Sequence, residues 1–172
     1  EQSNAGIINL SGKNSIGMYT TAGIATNTGE INIGNGGVGI YAESYPVPND
    51  SASSYSSFNI NNSGKITASS GEKAIGIYAN ENSSGGNYGS GNLSLTEGTD
   101  IDVSASKGGV GIYSNKSYIS GNGLNKITVG ENGTGIYIKD NTAYLNNLEL
   151  NLKGDNAVGV YTDGTSSFLG SG

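Results

Sequence analysis

Val38-Gly39-Ile40-Tyr41 is one of six copies of a short motif that recurs along the 172-residue chain. In each copy a Gly and a second apolar residue precede Tyr, and the six tyrosines are at positions 19, 41, 78, 113, 137 and 161. Successive tyrosines are 22 or 24 residues apart, except for gaps of 37 and 35 residues that begin at Tyr41 and Tyr78. Recurrence at this spacing is typical of solenoid proteins, whose repeats pack against their neighbours. The two longer gaps predict two insertions.

Each repeat contains two further apolar runs, one before and one after the Tyr motif. Apolar and polar residues alternate in the first run, as in Ile31-Asn32-Ile33, and a weaker run follows the motif, as in Phe58-Asn59-Ile60. Alternation with a period of two indicates a half-buried β-strand, and the Gly-, Asn- and Ser-rich residues between the runs indicate turns. The sequence therefore predicts an all-β fold, a right-handed parallel β-helix of about six coils with three short strands each. Residues 1–172 would form one β-helical segment.

The pleat of a strand places alternate side chains on opposite faces. This puts Val38, Ile40 and Ala42 on the inner face, and it puts Gly39 and Tyr41 on the outer face. The stacked tyrosines should form a ladder with rungs ~4.8 Å apart, and each glycine should leave a gap beside a ring. Two interpretations remain open, a ladder that only stabilises the stacking and one that also binds a ligand. The predicted inner set is Ile16, Met18, Val38, Ile40, Ile75, Ile77, Val110, Ile112, Ile136, Val158 and Val160, with Ile31, Ile33, Ile127, Val129, Leu150 and Leu152.

Composition excludes several classes of function. The chain has 14 acidic and 8 basic residues, a net charge of −6 and no Arg, so it is poorly suited to grip phosphate, and we predict no nucleic-acid partner. It has no Cys, which excludes disulfides, thiolate metal sites and cysteine nucleophiles. No apolar run is long enough for a membrane-spanning helix, so we predict that this segment is not inserted in a membrane. We also predict no cofactor and no metal site.

The β-helix architecture also occurs in polysaccharide lyases and hydrolases, which makes a carbohydrate-active enzyme the alternative. Glycosidase chemistry needs two carboxyl groups ~5–9.5 Å apart. The acidic residues are scattered along the repeats, although Glu43 and Asp50 could approach each other. Residues 34–39 match a dinucleotide-binding pattern by letter, but no helix follows to hold a pyrophosphate. We predict that the chain is not an enzyme and has no catalytic residues.

The two insertions are the candidate ligand-binding site. We place them at residues 43–57 and 80–92, where each follows the Tyr motif of its own repeat, so both should leave the solenoid at the same corner. Tyrosine rings can stack on sugars, and carboxylate and amide groups can hydrogen-bond to hydroxyls. An acidic surface favours a neutral glycan or a basic protein patch as the partner. Alternatively, the insertions are solvated loops without a role. The candidate ligand-binding residues are Glu43, Tyr45, Asn49, Asp50, Tyr55, Asn87 and Tyr88.

The unit Gly29-Glu30-Ile31-Asn32-Ile33, followed by a Gly/Asn turn and Val38-Gly39-Ile40-Tyr41-Ala42, resembles the passenger repeats of the giant autotransporter adhesins of fusobacteria. The resemblance covers all six repeats but carries over no functional residue, because the shared motif is the scaffold. It implies type V secretion, an extracellular location on the bacterial surface or after release, and an outer-membrane β-barrel elsewhere in the full-length protein. It also implies adhesion to host-cell or bacterial receptors. Because the sequence starts at Glu1 without Met, we expect a segment of a longer passenger; a purely structural spacer is the remaining alternative.

Overall fold

The computed structural model describes residues 1–47, 55–82 and 91–171. Every regular element in these ranges is a β-strand. In chain order the strands are β1 (Gln2–Asn4), β2 (Ile7–Asn9), β3 (Ile16–Thr20), β4 (Gly23–Asn27), β5 (Glu30–Ile33), β6 (Val38–Glu43), β7 (Phe58–Asn62), β8 (Lys65–Ala68), β9 (Ile75–Asn80), β10 (Gly91–Leu95), β11 (Asp100–Asp102), β12 (Val110–Asn115), β13 (Tyr118–Gly121), β14 (Asn125–Val129), β15 (Thr134–Lys139), β16 (Thr142–Asn146), β17 (Leu148–Leu152), β18 (Val158–Asp163) and β19 (Ser167–Ser171).

The described chain visits three parallel sheets in strict rotation. Sheet 1 contains β1, β4, β7, β10, β13, β16 and β19; sheet 2 contains β2, β5, β8, β11, β14 and β17; sheet 3 contains β3, β6, β9, β12, β15 and β18. Each strand pairs in parallel with its counterpart in the next coil, so β1 to β18 form six three-stranded coils and β19 adds one more strand to sheet 1. The predicted parallel β-helix is confirmed. Strand β1, which has no apolar residue, was not predicted.

The interior is a stack of aliphatic residues that repeat in register. In sheet 2, for example, Ile31 pairs with Ile66, and Ile101 pairs with both Ile66 and Ile127. Like side chains therefore lie over one another, and each is covered by the coils above and below it. The largest fully buried side chains are Phe58, Ile31, Ile33, Ile40, Ile60, Ile66, Ile77, Leu93, Leu95, Ile101, Ile112 and Ile119.

The glycine of the Tyr motif faces the interior, not the outer face as the alternation predicts. A Cβ added to Gly39 would lie 2.7 Å from Cγ2 of Ile66 in sheet 2 and 2.6 Å from the carbonyl oxygen of Gly76. Ile40, the next residue, is also fully buried. Two successive inward positions interrupt the pleat. The pairing of β6 with β9 accordingly joins Val38 with Ile75 and Ile40 with Ile77, and the glycines between them form no pair.

The first residue of each motif is consequently turned away from the core, and its predicted inward placement is wrong. Ile16 is 42% exposed and Val158 is 40% exposed, while the equivalent residues of the intervening coils are partly buried. Leu152, also predicted inside, is exposed on β17, which is the edge strand of sheet 2. The glycine does not leave a gap beside the Tyr ring; it makes room for an isoleucine across the core.

Buried amides line the corner between sheets 1 and 2. Nδ2 of Asn4 donates to Oδ1 of Asn27 at 2.8 Å, and Nδ2 of Asn27 donates to Oδ1 of Asn62 at 2.8 Å. Nδ2 of Asn62 continues the row with a 3.4 Å hydrogen bond to Oγ1 of Thr99. Because each buried amide needs its partner in the adjacent coil, this row fixes the vertical alignment of four coils.

Candidate binding surface

The predicted tyrosine ladder runs along the outer face of sheet 3. From Tyr19 to Tyr161 the consecutive ring centroids are 5.3, 4.6, 4.8, 5.0 and 5.0 Å apart, and the angles between ring planes range from 5° to 34°. Because each ring stacks on the next, the ladder turns ring edges and hydroxyl groups to the outside. The ring faces are covered, except for the outer faces of Tyr19 and Tyr161.

Glu43 belongs to this ladder. It is the last residue of β6, and its carboxylate accepts hydrogen bonds from the hydroxyls of Tyr19 at 2.9 Å and Tyr41 at 3.0 Å. Burial of the ring, and then this hydrogen bond, raise the pKa of Tyr41, whereas the pKa of Tyr19 is raised first by the hydrogen bond to Glu43. At the other end, Oδ2 of Asp163 accepts from the hydroxyl of Tyr137 at 3.1 Å. The carboxylates of Glu43 and Asp163 thus both accept hydrogen bonds from ladder tyrosines.

A polar row flanks the tyrosines on the side where the strands of sheet 3 end. Its members are paired in register, in the order Glu43, Asn80, Asn115, Lys139 and Asp163. In the middle of the row, Nδ2 of Asn115 donates to Oδ1 of Asn80 at 2.7 Å, while Oδ1 of Asn115 has no partner in the described residues. The centre of the row therefore consists of neutral amides.

The two insertions leave this same corner, between sheets 3 and 1, in consecutive coils. Later coils turn this corner with two residues, 116–117 and 140–141, whereas residues 44–57 separate β6 from β7 and residues 81–90 separate β9 from β10. The structure places Glu43, Asn80 and Asn92 within strands, so both inserted segments are shorter than the sequence spacing indicated.

Hydrogen bonds join the bases of the insertions. The backbone N–H of Asn82 donates to Oγ of Ser44 at 2.9 Å, and Nδ2 of Asn82 donates to the Ser44 carbonyl at 2.9 Å. Ser44 in turn donates its N–H to the carbonyl of Asn80 at 3.1 Å. At the base of the second insertion, the buried Glu81 accepts a hydrogen bond from the N–H of Gly91 at 3.2 Å. The two insertions therefore begin as one connected structure.

The first insertion is also closed at its own base. Pro46 and Tyr55 form an antiparallel bridge, and the N–H of Ser56 donates to the carbonyl of Tyr45 at 2.8 Å. Oγ of Ser56 accepts from the N–H of Tyr45 at 2.9 Å and donates to the carbonyl of Thr21 at 2.6 Å. This serine ties the insertion to the preceding coil.

The candidate residues divide into three groups. Tyr45 is 41% exposed at the mouth of the first insertion, and Tyr55 is partly buried across from Pro46. Glu43 lies on the ladder, with both carboxylate oxygens accepting phenol hydroxyls. The remaining four, Asn49, Asp50, Asn87 and Tyr88, lie outside the described residues.

Sequence reasoning missed the residues that join the insertions, Ser44, Ser56 and Asn82. Ser and Asn are so frequent in this chain that neither residue type stood out, and each of these hydrogen bonds spans 11 or more positions. The only available signal was their location at the boundaries of the two period-breaking segments.

The outer face of sheet 2 differs sharply from the ladder. Acidic and basic residues alternate there in register, in the order Glu30, Lys65, Asp100, Lys126 and Glu149. With three acidic and two basic residues, such a row balances most of its own charge. The ladder and the insertion corner instead combine aromatic, amide and hydroxyl groups.

In the described part of the chain, no group of three or more Asp or Glu side chains is placed to hold a metal ion. The same residues contain no helix of the length and hydrophobicity that crossing a membrane requires. Comparison of the chain with protein-family models, curated proteins and solved structures gives no match.

Proposed function

We propose that this chain is a β-helical stalk segment of a bacterial surface adhesin, and that it presents two adjacent loops to a host-cell or bacterial receptor. The observation that carries the proposal is the hydrogen-bonded junction between the two insertions, in which Ser44 contacts Asn82. Segments that leave a solenoid at one corner of consecutive coils form a composite surface, which neither could form alone. The receptor would be a neutral glycan or a protein.

The scaffold beneath the insertions suits this role. Their stems continue from β6 and β9, which are paired in register within sheet 3, so the two loops start at fixed positions. The bridge between Pro46 and Tyr55 further restricts the first loop, which lowers the conformational cost of binding. Tyr45, exposed at the mouth, can contribute a rigid ring and a hydroxyl to a ligand.

The extracellular setting is part of the same proposal. Its support is the resemblance of the six repeats to autotransporter passengers, together with a chain that has no Cys to be oxidised outside the cell. Under this proposal type V secretion exports the segment, and an outer-membrane β-barrel encoded elsewhere anchors it.

The test removes both insertions while keeping the coils. Residues 44–57 are replaced by the Lys-Ser turn of positions 116–117, and residues 81–90 by the Asp-Asn turn of positions 140–141, because both turns close the same corner in later coils. Parent and shortened chains are compared on an array of neutral, sialylated and sulfated glycans and on intact epithelial cells.

We expect the parent chain to bind and the shortened chain to lose binding while it keeps its β-sheet circular dichroism. Single replacements of each insertion serve as matched controls, and each should weaken binding if the surface is composite. Undiminished binding by the doubly shortened chain would show that the insertions are not the site. Absence of binding by the parent chain would support a spacer.

A further inference from the structure

We propose that the outer face of sheet 3 is a second binding site, which takes a neutral, extended, β-linked glycan lying along the axis of the β-helix. This surface, the ladder face, consists of the six ladder tyrosines, the polar row beside them and the aliphatic row on their other side. The aliphatic row comprises Ile16, Val38, Ile75, Val110 and Val158, with Thr134 at the equivalent position of the fifth coil, all paired in register. The site is separate from the insertions and goes beyond the proposed function.

The ladder face repeats with the period of the ligand. Its residues recur once per coil, and the ring centroids are 4.6 to 5.3 Å apart. An extended chain of β-1,4-linked pyranoses advances by about one ring length per sugar, which is close to the ~4.8 Å spacing between strands. Each successive sugar would therefore lie over the next rung. Because adjacent β-1,4-linked sugars are turned over relative to each other, every second sugar would meet the side chains of its rung in the same orientation.

The middle of the face is neutral and has hydrogen-bonding capacity to spare. Within the described residues the hydroxyls of Tyr78 and Tyr113 have no hydrogen-bond partner, unlike those of Tyr19, Tyr41 and Tyr137. In the adjacent row the amides of Asn80 and Asn115 already hydrogen-bond to Asn82 and to each other, and the unpartnered Oδ1 of Asn115 is buried, so the two phenol hydroxyls are the main groups open to a ligand. Uncharged hydroxyls match the hydroxyl groups of a neutral sugar. The carboxylate of Glu43 at one end disfavours an acidic polymer, while Lys139 and Asp163 offset each other at the other end.

The aliphatic row supplies the apolar half of the contact. Because the glycine turns inward, Ile75 and Val110 are partly exposed on the outer face beside the tyrosines. Sugar C–H groups can pack on these side chains while the sugar hydroxyls reach the phenols. Since the rings are held by stacking, little side-chain entropy is lost on binding.

A peptide strand is a poorer match for this face. The backbone N–H and C=O groups of the inner strands of sheet 3 are already paired with neighbouring strands, so no chain can be added by backbone hydrogen bonding to the face. The face therefore favours an uncharged partner that binds through hydroxyl and C–H groups.

The experiment is isothermal titration calorimetry of the parent chain with cellohexaose, cellobiose, maltohexaose and polygalacturonate. Cellohexaose should bind, and cellobiose should bind more weakly because it spans fewer rungs. Maltohexaose has the same composition but curls, and polygalacturonate is acidic, so neither should match cellohexaose. Loss of this ranking, or absence of cellohexaose binding, overturns the proposal.

The key variant is Tyr78→Phe with Tyr113→Phe, which removes the two open hydroxyls in the middle of the face and keeps the stacked rings. We expect the affinity for cellohexaose to fall about tenfold, the combined effect of two hydrogen bonds. The control is Tyr118→Phe with Tyr144→Phe on sheet 1, whose rings are also neighbours at 5.7 Å; it should leave binding unchanged. Equal affinities of both double variants contradict the assignment.

The doubly shortened chain separates this proposal from the proposed function, since it should keep cellohexaose binding even where glycan-array or cell binding is lost. Loss of cellohexaose binding on shortening would assign the glycan to the insertions and overturn the ladder site. Sedimentation velocity completes the test, because a dimer that the Tyr78→Phe/Tyr113→Phe variant disrupts would identify a second copy as the occupant instead.

Discussion

A methyl group added to Gly111 would lie 2.5 Å from Cγ2 of Ile127, which packs against it from sheet 2 across the interior. The same methyl would lie 2.6 Å from the carbonyl oxygen of Gly135 in the next coil. Both distances are shorter than a Cβ tolerates, and neither neighbour is the end of a long flexible side chain. The glycine of the Tyr motif is thus required by the close approach of two sheets.

Replacing Gly111 with Ala should therefore destabilise the protein by about 1–3 kcal/mol, the usual range for overpacking a filled interior. Gly159 is the matched control, since it occupies the same motif position in the last coil, where an added Cβ would be 3.6 Å from its nearest neighbour. Gly159→Ala should be neutral or slightly stabilising, because alanine restricts the unfolded chain. Urea unfolding measures both, and equal losses would contradict the inward placement of the glycine.

Ile75 and Ile77 provide a second test of the same geometry. Ile77 is fully buried, and Ile77→Ala should cost about 2–5 kcal/mol through lost burial and the cavity that remains. Ile75 is only partly buried on the outer face, so Ile75→Ala should cost clearly less, about 1 kcal/mol. The comparison is made by urea unfolding of the two single variants. A larger loss of stability in Ile75→Ala than in Ile77→Ala would instead support the simple alternation predicted from the sequence.

The solenoid and its tyrosine ladder could be predicted because the repeat brings like residues together. The recurring motif places Tyr41 beside Tyr78, although an insertion separates them in the sequence. The inward glycine could not be predicted, since a residue without a side chain gives no sign of the face that it occupies. What decides its orientation is the reach of an isoleucine such as Ile66 from another sheet.

The candidate site was predictable to a similar extent. Period breaks identified the corner that carries the insertions, but the contacts that organise it join side chains distant in sequence. Glu43 meets Tyr19 across 24 positions, and Asn82 meets Ser44 across 38. Such pairs depend on the register of neighbouring coils and on the turn at each corner, which local patterns do not specify.

The buried amide row should be a strong contributor to coil alignment. Asn27 is fully buried, accepts from Asn4 and donates to Asn62. Asn27→Ala therefore leaves the buried Oδ1 of Asn62 without its donor, and Nδ2 of Asn4 keeps only its 3.3 Å hydrogen bond to the Glu30 carbonyl. We expect a loss of about 1–3 kcal/mol in the free energy of unfolding. The control is Asn32→Ala, which removes an exposed 2.9 Å hydrogen bond to Asn9 and should change stability by about 0.5 kcal/mol or less.

Thermal and urea unfolding of these two asparagine variants give the comparison. Equal losses at Asn27 and Asn32 would show that the interior row contributes no more than a surface pair.

Alkaline pH should weaken the fold through the ladder. Burial of its ring is the largest cause that raises the pKa of Tyr41, and the hydrogen bond to Glu43 is the largest cause that raises the pKa of Tyr19. An unfolded tyrosine loses its proton near pH ~10, while these two remain protonated in the folded state. The unfolded state therefore binds fewer protons above that pH. The stability that the two phenols contribute is fully present below pH ~10 and is lost as the pH rises through their folded pKa values.

Glu43→Gln separates the two causes. It removes the carboxylate charge, so the pKa of Tyr19 should fall most of the way to the ordinary value of a tyrosine. The pKa of Tyr41 should remain raised by the burial of its ring. Urea unfolding from neutral pH to above pH ~10 should then show a shallower alkaline loss of stability than in the parent chain. Tyrosinate absorbance should show one phenol titrating earlier. Glu30→Gln on the outer face of sheet 2 is the charge-matched control, and an alkaline profile altered equally by both substitutions would refute a specific role of Glu43 at the ladder.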